Sequence, residues 1–149
     1  SLVESIINEF DSYNISPEYV EFEVTESVFF EETELIIDKI EKLREHGFKV
    51  SVDDFGSGYS SLNMLKDVPF DIIKIDRGFF GESVGSRSSQ WILAKVVEMV
   101  LGLGMDIICE GVENKEQVEF LKALGCKKVQ GYFYSKPISS DDFIETYCK

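Results

Sequence analysis

The sequence predicts an α/β fold built on a parallel sheet. Two observations carry this. Short runs rich in Val, Ile and Phe alternate with amphipathic stretches of helical period. Every one of those apolar runs also ends in polar residues, as strands do where they open onto a site. At 149 residues and 17.0 kDa the chain is about one domain's worth of sequence. Twelve Phe and six Tyr spread along it exclude intrinsic disorder.

Taken in order, Val3 to Phe10 reads as a helix. Strands are expected at Val20 to Thr25, Lys49 to Asp54, Ile72 to Asp76, Asp106 to Glu110 and Lys127 to Tyr132. Glu31 to His46 repeats Leu35, Ile36, Ile40 and Leu43 at helical spacing and stops at Gly47. A second long helix is expected from about Ser89 to Leu101, ahead of Gly102 and Gly104. A third starts at Asn114, an N-cap with Gln117 three residues on, and stops at Gly125. Ser140 is expected to cap the last helix, through Phe143 and Ile144. Gly78 to Ser89 reads as a surface loop.

Charge narrows the function classes. Against 28 acidic residues stand 15 basic ones, a net charge of −13. Sequence-independent binding to a nucleic-acid polymer needs a basic footprint, which this chain lacks. A phosphate ligand would therefore need divalent cations for neutralisation. Cys109, Cys126 and Cys148 form no Cys-x-x-Cys pair, and with His46 alone to add, a Cys/His metal site is not expected. Odd, widely spaced cysteines suit a reducing compartment, so a cytoplasmic location is expected, with a membrane-anchored parent left open. No apolar run approaches the roughly 20 residues of a membrane span, and no basic region precedes an apolar stretch at Ser1 to Ser5. Neither direct membrane contact nor a secretory signal is expected.

The polar strand ends carry the chemistry. Glu23 and Glu26 mark the first strand, Asp53 and Asp54 the second, Lys74 and Asp76 the third, Glu110 the fourth and Gln130 the fifth. Any one of these could be a solvated end or a cap of the next helix. Five in succession point instead to the carboxyl ends of parallel strands, where such folds place their sites. Glu23, Asp53, Asp54 and Glu110 offer hard oxygens that suit Mg²⁺ or Mn²⁺. Neighbouring strand residues point to opposite faces, so Asp53 and Asp54 converge only if the chain is already turning, for which Gly56-Ser57-Gly58 provides the means. Lys74 lies among isoleucines, a costly place for an ammonium unless carboxylates pair with it; the alternative is a lysine snorkelling from a strand edge. Phe55 to Tyr59 is a weak phosphate loop, because Ser61 stands where a third glycine would be. His46 is expected to be a solvated residue at a helix end.

The ordered set Glu23-Val24-Thr25-Glu26, Asp53-Asp54-Phe55-Gly56-Ser57-Gly58-Tyr59-Ser60-Ser61-Leu62, Lys74-Ile75-Asp76, Glu110-Gly111-Val112-Glu113 and Gln130-Gly131-Tyr132 closely resembles the EAL domain family. Those are bacterial phosphodiesterases that hydrolyse the second messenger cyclic di-GMP to linear pGpG. The resemblance runs from about Val20 to Ile138. It implies a TIM-like barrel with one antiparallel strand, and two divalent metals, Mg²⁺ or Mn²⁺ supporting activity and Ca²⁺ inhibiting. It further implies Glu23, Asp53, Asp54 and Glu110 as metal ligands, Lys74 positioning the attacking water, and Glu110 as a candidate general base. Glu26 would tether the Asp53 to Leu62 loop, while Asp76, Glu113 and Gln130 would support the site or bind substrate.

The family's naming Glu-Ala-Leu motif, whose Glu is a ligand, is not in this chain, nor is the Asn ligand of the following strand. About five strands stand against the eight strands and roughly 250 residues of a complete barrel. The expectation is that residues 1–149 are the C-terminal portion of one EAL-type domain, a partial TIM-like barrel lacking its N-terminal part. Such a fragment is expected to be inactive alone and to associate as a homo-oligomer through its exposed edges. A non-catalytic cyclic di-GMP-binding or protein-interaction module is the alternative. An unrelated aldolase using Lys74 as a Schiff-base nucleophile is a third.

Overall fold

A computed structural model describes residues 2–30, 33–56, 62–79 and 85–148 of the protein. Five strands form one sheet in the order β1-β2-β3-β4-β5. They are β1 Glu21–Thr25, β2 Lys49–Phe55, β3 Ile72–Ile75, β4 Asp106–Cys109 and β5 Lys128–Val129. Every neighbouring pair is parallel, as the alternating pattern predicts. The helices are α1 Leu2–Asp11, α2 Thr33–Glu45, α3 Leu62–Asp67, α4 Arg87–Gly102, α5 Lys115–Ala123 and α6 Ser140–Tyr147.

Side-chain alternation divides the sheet into two faces. Val50 and Val52 of β2, Ile73 and Ile75 of β3, and Ile107 and Cys109 of β4 are buried in one core with the apolar stripes of the helices. In α2 that stripe is Ile36, Ile40 and Leu43, at i, i+4 and i+7. Leu35 stays 47% exposed, outside the stripe to which its spacing assigned it. Leu93, Val97 and Val100 of α4 and Leu121 of α5 complete the core. Phe48, 2% exposed, is held edge-on by Phe10 and Phe22. That contact seals α1 against the start of β2.

Several boundaries differ from expectation, each for a local reason. The fifth strand is two residues long because it pairs with β4 only at Ile108↔Lys128 and Cys109↔Val129; beyond it the chain turns at Gly131 to Tyr134. The last helix is capped by Ser139, whose Oγ accepts from the Asp142 N–H, and Ser140 is its first helical residue. α4 begins at Arg87 behind a Ser86 cap and so takes up the end of the expected loop. α3 carried too few periodic positions to be legible. Residues 31 and 32, 57–61 and 80–84 lie outside the described residues, and with them most of the Phe55 to Tyr59 loop and part of the Gly78 to Ser89 loop.

Asn114 caps α5 as its spacing predicts. Its side chain accepts from the Gln117 N–H at 3.0 Å while Gln117 Oε1 accepts from the Asn114 and Glu113 N–H groups. The box fixes the chain between Glu110 and α5, so it also fixes Glu113. Removing the Asn114 side chain is expected to destabilise the protein by about 1 kcal/mol. Urea unfolding of Asn114→Ala measures this, and an unchanged midpoint would show that the cap contributes nothing.

Candidate metal centre

The face of the sheet opposite the core carries Glu23 of β1, Ser51 and Asp53 of β2, and Lys74 of β3. Strand register places Glu23 beside Ser51 and Thr25 beside Asp53. Lys74 is only 7% exposed in its side chain. Its Nζ donates to Glu23 Oε1 at 2.7 Å and lies 2.8 Å from Glu110 Oε1 and 3.5 Å from Asp53 Oδ1. To reach Glu23, Lys74 must span two strand spacings, roughly 10 Å between backbones. Ser51, beside Glu23 on the intervening strand, is fully buried on the same face. No sequence signal marked Ser51, since a lone serine in a strand has no pattern.

Convergence of Asp53 and Asp54 has a different origin from the one expected. Register passes from Val52↔Ile73 to Phe55↔Ile75, so three steps along β2 match two along β3. Asp53 and Asp54 thus together oppose Lys74, which is a β-bulge. Asp54 takes up the extra residue at φ 54°, a left-handed conformation that Asp tolerates better than most. The turn is made inside the strand, ahead of the glycines. As a result one oxygen each from Asp53, Asp54 and Glu110 lie within 4.8 Å of one another.

Electrostatics follow from this crowding. Burial works against the charge of Lys74, but the carboxylates of Glu110, Glu23 and Asp53 outweigh it and raise its pKa above the ordinary lysine value. Lys74 is therefore an ammonium at neutral pH, which removes the Schiff-base aldolase from consideration. Asp54 goes up as well, first through burial and then through the charges of Asp53 and Asp76, against a smaller opposing effect of Lys74. Asp53 Oδ1 and Glu110 Oε1 are buried, and both face the single ammonium of Lys74, at 3.5 and 2.8 Å. Two buried carboxylate oxygens that share one ammonium, beside a third carboxylate, fit a hard divalent cation.

The remaining expected residues surround this centre without joining the three-carboxylate group. Glu23 is held by Lys74. Glu26 is buried, 7% exposed, one residue past β1; the loop it was expected to tether includes residues 57–61, outside the described part. Asp76 Oδ1 accepts from the Gly78 N–H at 2.7 Å. Glu113 pairs with Arg77 at 3.2 Å. Gln130 is exposed, with its backbone bridging Cys109 and Val112.

Asp76, Glu110, Glu113 and Gln130 all open onto one cleft of about 660 Å³. Its outer wall is Tyr132, part of the Gln130-Gly131-Tyr132 motif, with Lys136, Phe143 and Tyr147, for which no site role was expected. Gly131 makes the wall possible: a Cβ there would meet the Val112 carbonyl oxygen at 2.1 Å. An aromatic run directly after a glycine, Tyr132-Phe133-Tyr134, is the signal that could have marked it.

The sequence pattern of the EAL domain family matches residues 1–137. The cyclic di-GMP phosphodiesterase NbdA of Pseudomonas aeruginosa is 34% identical over 150 residues, covering 99% of this chain and 19% of that protein. Among solved structures, the EAL domain of Mycobacterium smegmatis DcpA superimposes with a TM-score of 0.91 at 32% identity. That match covers 98% of this chain and 66% of the other. A manganese and cyclic di-GMP complex of Klebsiella pneumoniae BlrP1 matches with a TM-score of 0.83 at 32% identity, covering 91% and 34%. The chain thus spans about a fifth of the length of the curated relative and under two thirds of these solved chains.

Two outcomes test the electrostatics. The raised pKa of Asp54 means that the unfolded chain loses this proton first as pH rises, so the fold loses stability from about pH 3.8 up to the folded value. Asp54→Asn, which keeps the left-handed residue tolerable, is expected to raise Tm at neutral pH in chelator, with the gain vanishing well below pH 3.8. Thermal melts across pH check this; a gain of equal size at every pH would assign it to the backbone instead. Lys74→Met leaves three carboxylates facing one another and is expected to destabilise by about 2–3 kcal/mol without divalent ions. Added Mg²⁺ should recover part of that loss in the same melt.

Proposed function

The chain belongs to the EAL domain family, and we propose that it is the C-terminal part of one EAL-type domain whose intact form hydrolyses cyclic di-GMP to pGpG with two divalent ions. The observation that carries this proposal is the approach of Asp53, Asp54 and Glu110 within 4.8 Å beside the ammonium of Lys74. The named activity of NbdA and the manganese and cyclic di-GMP complex of BlrP1 support it.

Asp53, Asp54 and Glu110, with Glu23 at the rim, are the residues that would hold Mg²⁺ or Mn²⁺. Bound there, the ions supply Lewis acidity and neutralise phosphate charge, which a chain of net charge −13 cannot do itself. Lys74 keeps its proton and orients the attacking water by donation. Glu110, three-quarters or more buried beside that ammonium, accepts the proton the water gives up as its oxygen bonds to phosphorus. The phosphorus bond to the 3′ oxygen breaks, and that oxygen takes up a proton, leaving one linear dinucleotide. Asp76, Glu113 and Gln130 hold substrate along the cleft, and Glu26 supports the end of β1 and the Asp53 to Leu62 loop.

Two ligands, the Glu of the Glu-Ala-Leu motif and the following Asn, are absent from these 149 residues. The chain alone is therefore expected to bind Mn²⁺ weakly and to form no pGpG. Titration calorimetry should show Mn²⁺ affinity roughly tenfold lower or worse in Asp53→Asn. Equal binding by both proteins would move the metal site elsewhere. Robust pGpG production by the chain alone would overturn the ligand assignment.

Assembly follows from the edges. β1 and β5 each have one strand neighbour, and Tyr132, Tyr134, Phe143, Ile144 and Tyr147 are each more than half-way or about half-way exposed, 50–61%. A second copy covering this side is part of the proposal, as is a cytoplasmic setting. No helix among the described residues is long and apolar enough to cross a membrane. Light scattering over a dilution series is expected to show dimers or larger species; a 17.0 kDa particle at every concentration would rule this out.

A further inference from the structure

The face of the sheet turned away from the carboxylates holds a second reactive group. Cys109, the last residue of β4, is fully buried, and Cys126 follows α5 at 7% exposed. Their sulfurs are 3.7 Å apart, although 17 residues separate them in sequence. Neither forms a disulfide, and Cys148 is a third, exposed thiol.

A buried cysteine commonly packs as a small apolar side chain. Cys109 does so, but Cys126 has two features that packing does not require. It lines a separate surface cavity of about 420 Å³, whereas Cys109 does not. Lys122 and Lys127 line the same cavity, so its rim is basic. The two sulfurs are within hydrogen-bond reach of each other, with either able to donate, and Cys126 is the less deeply buried of the pair.

We propose that Cys126 and Cys109 form a two-cysteine oxidation site for small peroxides, with Cys126 the attacked thiol and Cys109 the resolving one. The Cys126 thiolate attacks one peroxide oxygen, the O–O bond breaks, and hydroxide leaves, giving a sulfenic acid at Cys126. The Cys109 sulfur then attacks that sulfenic sulfur, its proton departs with the hydroxyl as water, and the S–S bond forms. Two electrons pass from the thiols to the peroxide. The sulfurs have about 1.7 Å to close from 3.7 Å to the disulfide length of roughly 2.05 Å. The cross-link ties the residue before Glu110 to the loop that leads into β5, beneath the carboxylate centre. It is independent of the proposed phosphodiesterase activity.

The test uses the 149-residue chain in chelator, with hydrogen peroxide as the probe. The expected result is a loss of two of the three titratable thiols without a change in subunit number. Peptide mapping should show a Cys109–Cys126 link that persists in Cys148→Ser and that dithiothreitol reverses. In Cys109→Ser, dimedone should trap a sulfenic acid on Cys126; in Cys126→Ser the Cys109 thiol should remain reduced. Because the wild-type map needs no variant, a failure of either buried substitution to fold leaves the test intact. Oxidation confined to Cys148, links between chains only, or dimedone labelling of Cys109 ahead of Cys126 would each overturn the proposal.

Discussion

A single ammonium inside a ring of carboxylates sets the terms for the rest of this protein. Lys74 sits on the middle strand of five, and its charge is tolerated only because Glu23, Asp53 and Glu110 reach it from β1, β2 and the end of β4. Those three carboxylates in turn can lie this close together only because the ammonium is among them. Four acidic groups, with Asp54 included, still outnumber one cation. The centre remains short of positive charge where Asp53, Asp54 and Glu110 approach one another. Burial first, and then the crowded carboxylates, lift Asp54, while the same carboxylates hold the proton on Lys74.

Backbone features supply the precision that charge alone cannot. Parallel register brings strand ends to one side, but register by itself would send Asp53 and Asp54 to opposite faces. The bulge opposite Lys74 removes that conflict by placing one extra residue in β2. On the far side, the Val112 N–H donates to Gln130 O, and Gly131 packs directly on Val112. With the Asn114–Gln117 box, this locks Glu110 to Glu113 between two regular elements. Groups built on strand ends and held by caps keep their geometry better than groups on free loops.

The two faces of the sheet separate two kinds of chemistry. On one, hard oxygens and an ammonium suit a divalent cation; on the other, two sulfurs lie under helices, with Cys126 at the wall of a separate cavity. Cys109 and Glu110 are adjacent in sequence yet belong to different environments, because alternation along β4 turns successive side chains opposite ways.

Periodicity, caps and polar strand ends made the α/β class, the parallel order and the residues of the centre legible, since each depends on neighbours within a few positions. Asn114 and Gln117 are readable as a cap because the box is closed within four residues. Lys74 was readable as paired because an ammonium among isoleucines has few other solutions. What tertiary structure decided has partners far apart in sequence. The pairing of Lys74 with Glu23 spans 51 residues, and the cysteine pair spans 17. Which carboxylates converge, that Ser51 lies beside Glu23, and that Asp54 takes up the extra residue of β2 all depend on strands brought side by side. Inter-strand distances of that kind come from the packing of helices on the opposite face, and no local pattern in the chain records them.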